Sequence, residues 1–249
     1  MLPEEPFATS DDRLLGGRVR LRQPLHGYRA AIDPVLLAAA VPAVEGDSVL
    51  DLGCGVGAAA LCLLARLTGV RVTGLEVQPE LAALARENAA SNGFADRFTV
   101  VEGSLLAPPP LVQDGYDHVM TNPPFLAEGS GTRAPVLSKA TANMEEGEVD
   151  LGAWIKAAAK LLRPKGRLAL IHRADRLGEV LNALGRRGLG EVRVLPLWPR
   201  AGRPAGRVIV TARKGVRTPL ELLPGLVLHG EGGAYTEAAE AVLRRAEGV

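Results

Sequence analysis

The sequence predicts an α/β fold, an open and mostly parallel sheet of seven strands with helices on both faces. Three observations predict it. From residue 46 onward, apolar runs of strand length alternate with Ala/Leu-rich stretches of helical length, the pattern of repeated βα units. The first apolar run, Val49-Leu50-Asp51-Leu52, passes into Gly53-Cys54-Gly55-Val56-Gly57 and at once into a helix, a strand–turn–helix join built on residues that lack a Cβ. Finally, residues 198–206 are all that separate the last two strands, and they contain Pro199, Gly202, Pro204 and Gly206. A parallel crossover needs roughly a dozen residues or more, so the seventh strand must run antiparallel to the sixth.

Taken in order, residues 1–12 carry acids and prolines without periodicity and are expected to be disordered. Residues 13–249 form a single domain, in which 13–45 are an N-terminal hairpin and a helix, 46–214 the core, and 215–249 a C-terminal hairpin and helix. Residues 13–22 read as the first hairpin, turning at Gly16-Gly17, with Arg18-Val19-Arg20-Leu21-Arg22 alternating at strand period. Asp33 is a candidate N-cap for the helix that starts at Pro34, and Pro42 ends it. The core strands are expected at 48–52, 71–76, 98–102, 116–121, 167–172, 190–197 and 207–214. Helices are expected at 58–67, 79–91, 150–162 and 174–187, the second opened by Pro79 and closed near Asn92-Gly93. Pro108-Pro109-Pro110 excludes a long helix in the third connection. At the end, 226–229 and Ala234-Tyr235 flank Gly230-Glu231-Gly232-Gly233, a hairpin signal, and Thr236 caps a last helix.

The chemistry concentrates at strand ends. Gly53, Gly55 and Gly57 allow a sharp turn and close approach of a ligand, and the helix after them points free N–H groups at the same place. Gly53-x-Gly55-x-x-Ala58 with Glu76 also fits a dinucleotide fingerprint, and a glycine turn without a ligand competes with both. Asp51, just before the turn, is placed to face a cationic ligand. Asn122-Pro123-Pro124-Phe125 follows the fourth strand. Each proline fixes its own φ and restricts the residue before it to extended geometry, so the Asn122 side chain and the Pro123 carbonyl are held in set directions. Both are acceptors, and a planar NH₂ group offers two donors. Phe125 adds a face on which a base can stack.

Composition narrows the setting. The chain has 249 residues, 47% of them hydrophobic, enough for one sizeable core, and a net charge of +1 declares no global affinity for nucleic acid. Charge is uneven, however: residues 13–32 hold Arg13, Arg18, Arg20, Arg22 and Arg29 without an acid, and 192–220 hold Arg193, Arg200, Arg203, Arg207, Arg213, Lys214 and Arg217 without an acid. Such runs are solvated faces or phosphate-binding surfaces. Cys54 and Cys62 lack metal-ligand spacing, and a disulfide between them is not expected. No metal is expected. With no signal peptide and no apolar run long enough to span a bilayer, the expected location is cytoplasmic and away from membranes. Residues 122–149 form a long connection of the kind that serves as a substrate flap, and Trp198-Pro199-Arg200-Ala201-Gly202-Arg203 is a second such segment.

Asp-x-Gly-x-Gly-x-Gly with Asn-Pro-Pro-Phe resembles the class I S-adenosylmethionine-dependent methyltransferases that act on planar amino groups. With Gly16-Gly17-Arg18-Val19, Gly27-Tyr28-Arg29 and Asp33-Pro34-Val35-Leu36-Leu37, residues 13–245 look like the bacterial tRNA(1)-Val adenine-N6-methyltransferase-like group. The resemblance implies a Rossmann-like sheet of order 3-2-1-4-5-7-6. It also implies S-adenosylmethionine as cofactor, held by Asp51, Gly53, Cys54, Gly55 and Gly57 at the methionine part. Glu76 would hold the ribose, with Val77 and Gln78 beside it, and Gly103, Ser104 and Leu105 would meet the adenine. Ser104 departs from the usual Asp there. Tyr28 and Asp33 would close over the cofactor, and Asn122, Pro123, Pro124 and Phe125 would orient the target amine. The implied partner is RNA, tRNA first. The same tetrapeptide also serves guanine-N2 and DNA adenine enzymes. A glutamine-N5 protein methyltransferase and a non-catalytic binding scaffold stay open, as does the oligomeric state, with a monomer among the options.

Overall fold

The computed structural model of the chain describes residues 8–27, 29–112, 115–124 and 149–249. Its elements are β1 (Thr9–Leu14), β2 (Val19–Pro24), α1 (Asp33–Ala39), β3 (Ser48–Leu52), α2 (Ala58–Arg66), β4 (Arg71–Glu76), α3 (Pro79–Ser91), β5 (Phe98–Glu102) and β6 (Tyr116–Thr121). After residue 148 follow α4 (Leu151–Leu161), β7 (Leu162–Arg173), α5 (Leu177–Gly185), β8 (Leu189–Arg200), β9 (Arg207–Lys214), β10 (Glu221–Leu222), β11 (Leu226–His229) and α6 (Glu237–Arg245).

One sheet runs through the molecule in the order β5-β4-β3-β6-β7-β9-β8, and β9 is its antiparallel member, paired on one side with β7 and on the other with β8. The short link at 201–206 leaves no room for a crossover, as the loop length requires. The sheet has nine strands rather than seven, because β10 and β11 both add in parallel to the outer edge of β8.

The C-terminal hairpin expected at 226–235 is correspondingly reduced to a single bridge, His229↔Tyr235. The free N–H and C=O groups along β8 offer β11 a longer partner than Ala234-Tyr235 can. Gly225 makes the approach feasible: its φ is +87°, and a Cβ there would lie 2.5 Å from Pro196 O and against the Trp198 indole.

At the N-terminus, strand structure reaches back to Thr9, into the stretch expected to be disordered. The Asp12 carboxylate explains it. It accepts from Gln23 Nε2 (3.0 Å), Ser10 Oγ (2.9 Å) and Arg29 Nη2 (2.7 Å), which holds its pKa below the usual value. An acid that looked like part of a solvated tail is thus a knot between β1, β2 and the chain beyond. β2 is in turn clasped by α3. Asn88 Oδ1 accepts from Arg22 N (2.8 Å) and its Nδ2 donates to Arg22 O (2.9 Å); Asn92 repeats the pair on Arg20 N (2.8 Å) and Arg20 O (2.7 Å).

Two apolar layers sandwich the sheet. α1, α2, α3 and α6 cover one face, with Leu36, Leu37, Leu61, Leu63 and Val49 buried there. α4 and α5 cover the other, with Leu50, Leu52, Ile155 and Leu170 buried. Along β3 the alternation is complete, Val49 and Asp51 facing α2 while Leu50 and Leu52 face α4. Full burial of side chains such as Leu50 and Leu52 is worth about 1.5–3 kcal/mol each, so the strand that carries the glycine turn is among the firmest parts of the molecule.

Candidate functional site

β3, β4, β5, β6 and β7 are parallel, so their C-terminal ends gather the glycine turn, Glu76, Gly103 and Asn122 on one edge of the sheet. All three glycines of the turn have left-handed φ, +75° at Gly53, +54° at Gly55 and +84° at Gly57. They differ in what surrounds them. A Cβ on Gly53 would collide with the Trp154 ring, and one on Gly57 would come 2.8 Å from Phe98 Cε1, whereas one on Gly55 would meet nothing within 4 Å. Gly53 and Gly57 are therefore needed by the fold, and Gly55 faces open space. The turn is held from outside: Gly53 N and Cys54 N both donate to Leu75 O, at 2.9 and 3.1 Å. The buried Cys54 side chain packs over Gly74, whose missing Cβ leaves it room.

Two carboxylates lie under this turn. Glu76 ends β4 and is 5% exposed; its Oε2 accepts from Gly55 N (2.8 Å) and its Oε1 from Gln78 N (2.9 Å). Burial raises its pKa, and those N–H groups oppose the rise. The Val77 N–H and the Gln78 side chain act in the same sense, so donors on both sides of the strand end hold the carboxylate. Asp51 is 3% exposed, with Oδ2 accepting from Ala60 N (3.2 Å) in the first turn of α2. Burial pushes its carboxyl up to about 7, the Ala60 N–H opposing and the Glu76 charge adding. Asp51 thus lies buried beneath the turn, and its surroundings favour the acid form.

Beyond β5, Gly103 N donates to Glu76 O (2.9 Å), which keeps Gly103, Ser104 and Leu105 beside Glu76. Ser104 Oγ accepts from Leu106 N (3.2 Å). Val77 and Leu106 stand exposed on this edge; Leu106 had no sequence signal of its own.

Asn122 and Pro123 follow directly on β6, Asn122 half-buried and Pro123 buried. β6 pairs with β3 through Asp51↔Met120, and carrying that register forward sets Asn122 opposite Gly53. Thr121 Oγ1 pins the join by donating to Leu52 O (2.8 Å). Pro124 is exposed; of the flap expected at 122–149, residues 125–148 lie outside the described residues, Phe125 among them, as does Tyr28.

Asp33 is the first residue of α1 and makes no side-chain cap, contrary to expectation, because its carboxylate turns to Arg207 Nε (3.2 Å). Arg207 is paired with Arg173 at the C-terminal end of β7, so Asp33 reaches the same edge as Asn122. Sequence reasoning also missed Asn88 and Trp154. Asn88 Nδ2 donates to Val56 O (3.0 Å) as well as to Arg22 O, tying the hairpin to the glycine turn. Its spacing from Asn92, one helical turn inside an Ala-rich helix, was the available sign.

The basic runs divide. Arg22 pairs with Glu87, Arg29 with Asp12, Arg193 with Glu221, Arg207 with Asp33 and Arg213 with Glu191. Arg200 and Arg203 are exposed and form no ion pair among the described residues. No helix among those residues is long and apolar enough to cross a membrane.

Comparison with known proteins places this geometry. Residues 31–186 match the family described as "Methyltransferase small domain". A tRNA1(Val) (adenine(37)-N6)-methyltransferase of Porphyromonas gingivalis is 37% identical over 180 residues, 68% of this chain and 69% of that protein. One from Aeromonas hydrophila is 30% identical over 210 residues, 84% and 86% of the two chains. Among solved structures, one from Agrobacterium tumefaciens, titled a predicted O-methyltransferase, is 28% identical with a TM-score of 0.70, covering 84% of this chain and 94% of that one.

Proposed function

Since the chain belongs to the methyltransferase small domain family, we propose that it transfers a methyl group from S-adenosylmethionine to the N6 amino group of an adenine in tRNA. The observation that supports the reading is the β3–β6 pairing up to Asp51↔Met120 with the Thr121 Oγ1–Leu52 O hydrogen bond, which starts the loop at Asn122 next to the strand end that enters the glycine turn. The hollow suits the cofactor. Gly55 leaves open the space a side chain would fill, and the Asp51 and Glu76 carboxyl groups, once ionised, favour a ligand bearing sulfonium and ammonium charges. A carboxylate at the end of β4, as Glu76 is, can accept from two hydroxyls, as a ribose offers.

S-adenosylmethionine supplies an electrophilic methyl group when bound. The chain's own part is orientation and charge. An exocyclic amine is a weak nucleophile because its lone pair is delocalised into the ring. The Asn122 carboxamide oxygen and the Pro123 carbonyl accept its two N–H donors and so direct the nitrogen. As the new N–C bond forms, positive charge grows on that nitrogen, and the same two acceptors stabilise it. The N–C bond would form as the donor's methyl–sulfur bond breaks, leaving S-adenosylhomocysteine, and the proton on nitrogen would then pass to water. Holding the amine nitrogen in line with the methyl carbon supplies the rest of the barrier reduction. A hydroxyl has a single donor and would leave one acceptor idle, which favours nitrogen over the oxygen named in the Agrobacterium title.

The test is transfer from methyl-labelled S-adenosylmethionine to separate tRNA, rRNA, DNA and protein fractions, followed by nucleoside and amino-acid mass spectrometry. Label in N6-methyladenosine from tRNA is the expected result. Label in N5-methylglutamine or in an O-methyl product contradicts the assignment.

A further inference from the structure

The segment Trp198–Arg203 was singled out in the sequence as a flap, and nothing in the methyl-transfer chemistry uses it. In the structure it is the end of β8 and the tip leading to β9, at the same edge of the sheet as Asn122, because β8 runs parallel to β7. Between β6 and β8 lie three strand spacings, about 14 Å.

The tip encloses a shallow cleft lined by Trp198, Gly202, Arg203, Pro204 and Val227. Trp198 is half-buried and its indole is fixed: Nε1 donates to Pro224 O (3.3 Å), and Gly225 packs against the ring. Arg203 N donates to Arg200 O (3.2 Å), so the turn brings the two exposed arginines to one rim. Arg200 reaches toward the neighbouring turn, its Nη2 3.9 Å from where a Cβ on Gly233 would stand. Beside it His229 and Tyr235 stack at 4.7 Å between ring centroids, and His229 is paired with Arg200 across the strands. The rim holds one acid, Glu231, on that turn; it forms no ion pair among the described residues.

An aromatic floor beside unpaired guanidinium groups is the chemistry that holds an unpaired nucleotide, the base on the ring and the phosphates on the arginines. We propose that this cleft is a second RNA subsite, which takes a single-stranded nucleotide of the substrate loop a few positions from the methylated adenine. The inference rests on the methyltransferase reading above. A duplex does not fit the role, since its bases are stacked on one another and closed to Trp198. By holding one loop nucleotide, the cleft would favour a looped RNA over a free nucleoside or a helix.

The chain has two tryptophans, and Trp154 is buried, so RNA that stacks in the cleft reports through Trp198 fluorescence. The experiment titrates the full chain with an anticodon stem-loop RNA and with a blunt duplex of equal length, reading fluorescence, salt dependence and steady-state methylation. The expected results are quenching by the stem-loop and little by the duplex. Trp198→Ala is expected to raise both Kd and KM about 10- to 100-fold with kcat and thermal stability little changed, and Trp198→Phe to restore most of the affinity. Arg200→Gln with Arg203→Gln, both at exposed positions, should reduce the slope of log K against log salt by about 1.4, or two phosphates on a single strand. Unchanged KM and salt slope in these variants, or a duplex bound as tightly as the stem-loop, overturns the subsite. Stem-loop binding that depends on Trp198 without any methylation of RNA leaves the subsite standing and contradicts the proposed function instead.

Discussion

Asp51 shows how much a single position decides. It sits one residue before Leu52 and the turn, on the face of β3 that looks toward α2, and its carboxylate is taken out of water with one N–H to compensate. Its folded pKa of about 7 lies above the ordinary 3.8, so ionisation costs the fold. Stability therefore falls as pH rises from about 4 to about 7 and is level above that, a loss of at most about 4 kcal/mol. A cationic ligand reverses the preference, because it favours the ionised form. Cofactor affinity is thus expected to strengthen with pH through 7, by up to about tenfold per unit on the acid side, with proton release on binding near pH 6.5. Calorimetry from pH 6 to 8 in buffers of different ionisation heat reads both, and Asp51→Asn should bind weakly with a flat profile. A flat profile in the wild-type chain would contradict the role given to Asp51. At this scale the glycine turn and the placing of Asp51, Glu76 and Asn122 at strand ends were legible, because each interrupts or follows an apolar run of strand length. What could not be read was burial: that Asp51 is covered, that Gly53 is demanded by Trp154, and that Asp33 prefers Arg207 to its own helix end, all depend on residues far away in the chain.

Elements were legible where local pattern and loop length decide them. The antiparallel β9 followed from a nine-residue connection, and the βα alternation from periodicity. They were illegible where an edge strand chose between partners. Leu226–His229 has the same pattern whether it pairs with Ala234-Tyr235 or with β8, and burial of Leu226 and Leu228 against α6 favoured the sheet. The N-terminal hairpin raises a similar point, since its attachment to the core runs through Asn88 and Asn92 on α3. Asn88 is 1% exposed and Asn92 is partly exposed, so the two are unequal. Asn88→Ala removes hydrogen bonds to Arg22 and Val56 and leaves buried backbone groups without them, a loss of about 2–3 kcal/mol, whereas Asn92→Ala should cost about 1 kcal/mol or less. Chemical denaturation measures both. Because Asn88 also holds the Val56 carbonyl, its variant should weaken cofactor binding too, and equal effects from the two variants would show that the clasp has no special link to the turn.

For the molecule as a whole, the parallel strands do the organising. They bring the glycine turn, the start of the loop after β6 and the cleft at Trp198 to one edge, on segments that are far apart in sequence. The fold class and this edge were readable from the motifs and their order. The two additional strands were not, and neither was the pairing of Arg22, Arg29, Arg193, Arg207 and Arg213 with Glu87, Asp12, Glu221, Asp33 and Glu191, because ion pairing is set by tertiary neighbours. The central claim is that the cofactor hollow and the amine-aiming loop are adjacent but separate in their work. Asn122→Ala tests it most directly, with calorimetric affinity for S-adenosylmethionine and single-turnover methyl transfer measured on the same preparation. The account predicts affinity within about twofold of wild type and transfer slower by about 100- to 1000-fold, the usual effect of removing one group that stabilises developing charge. Transfer at the wild-type rate, or loss of cofactor binding in proportion to activity, would contradict it.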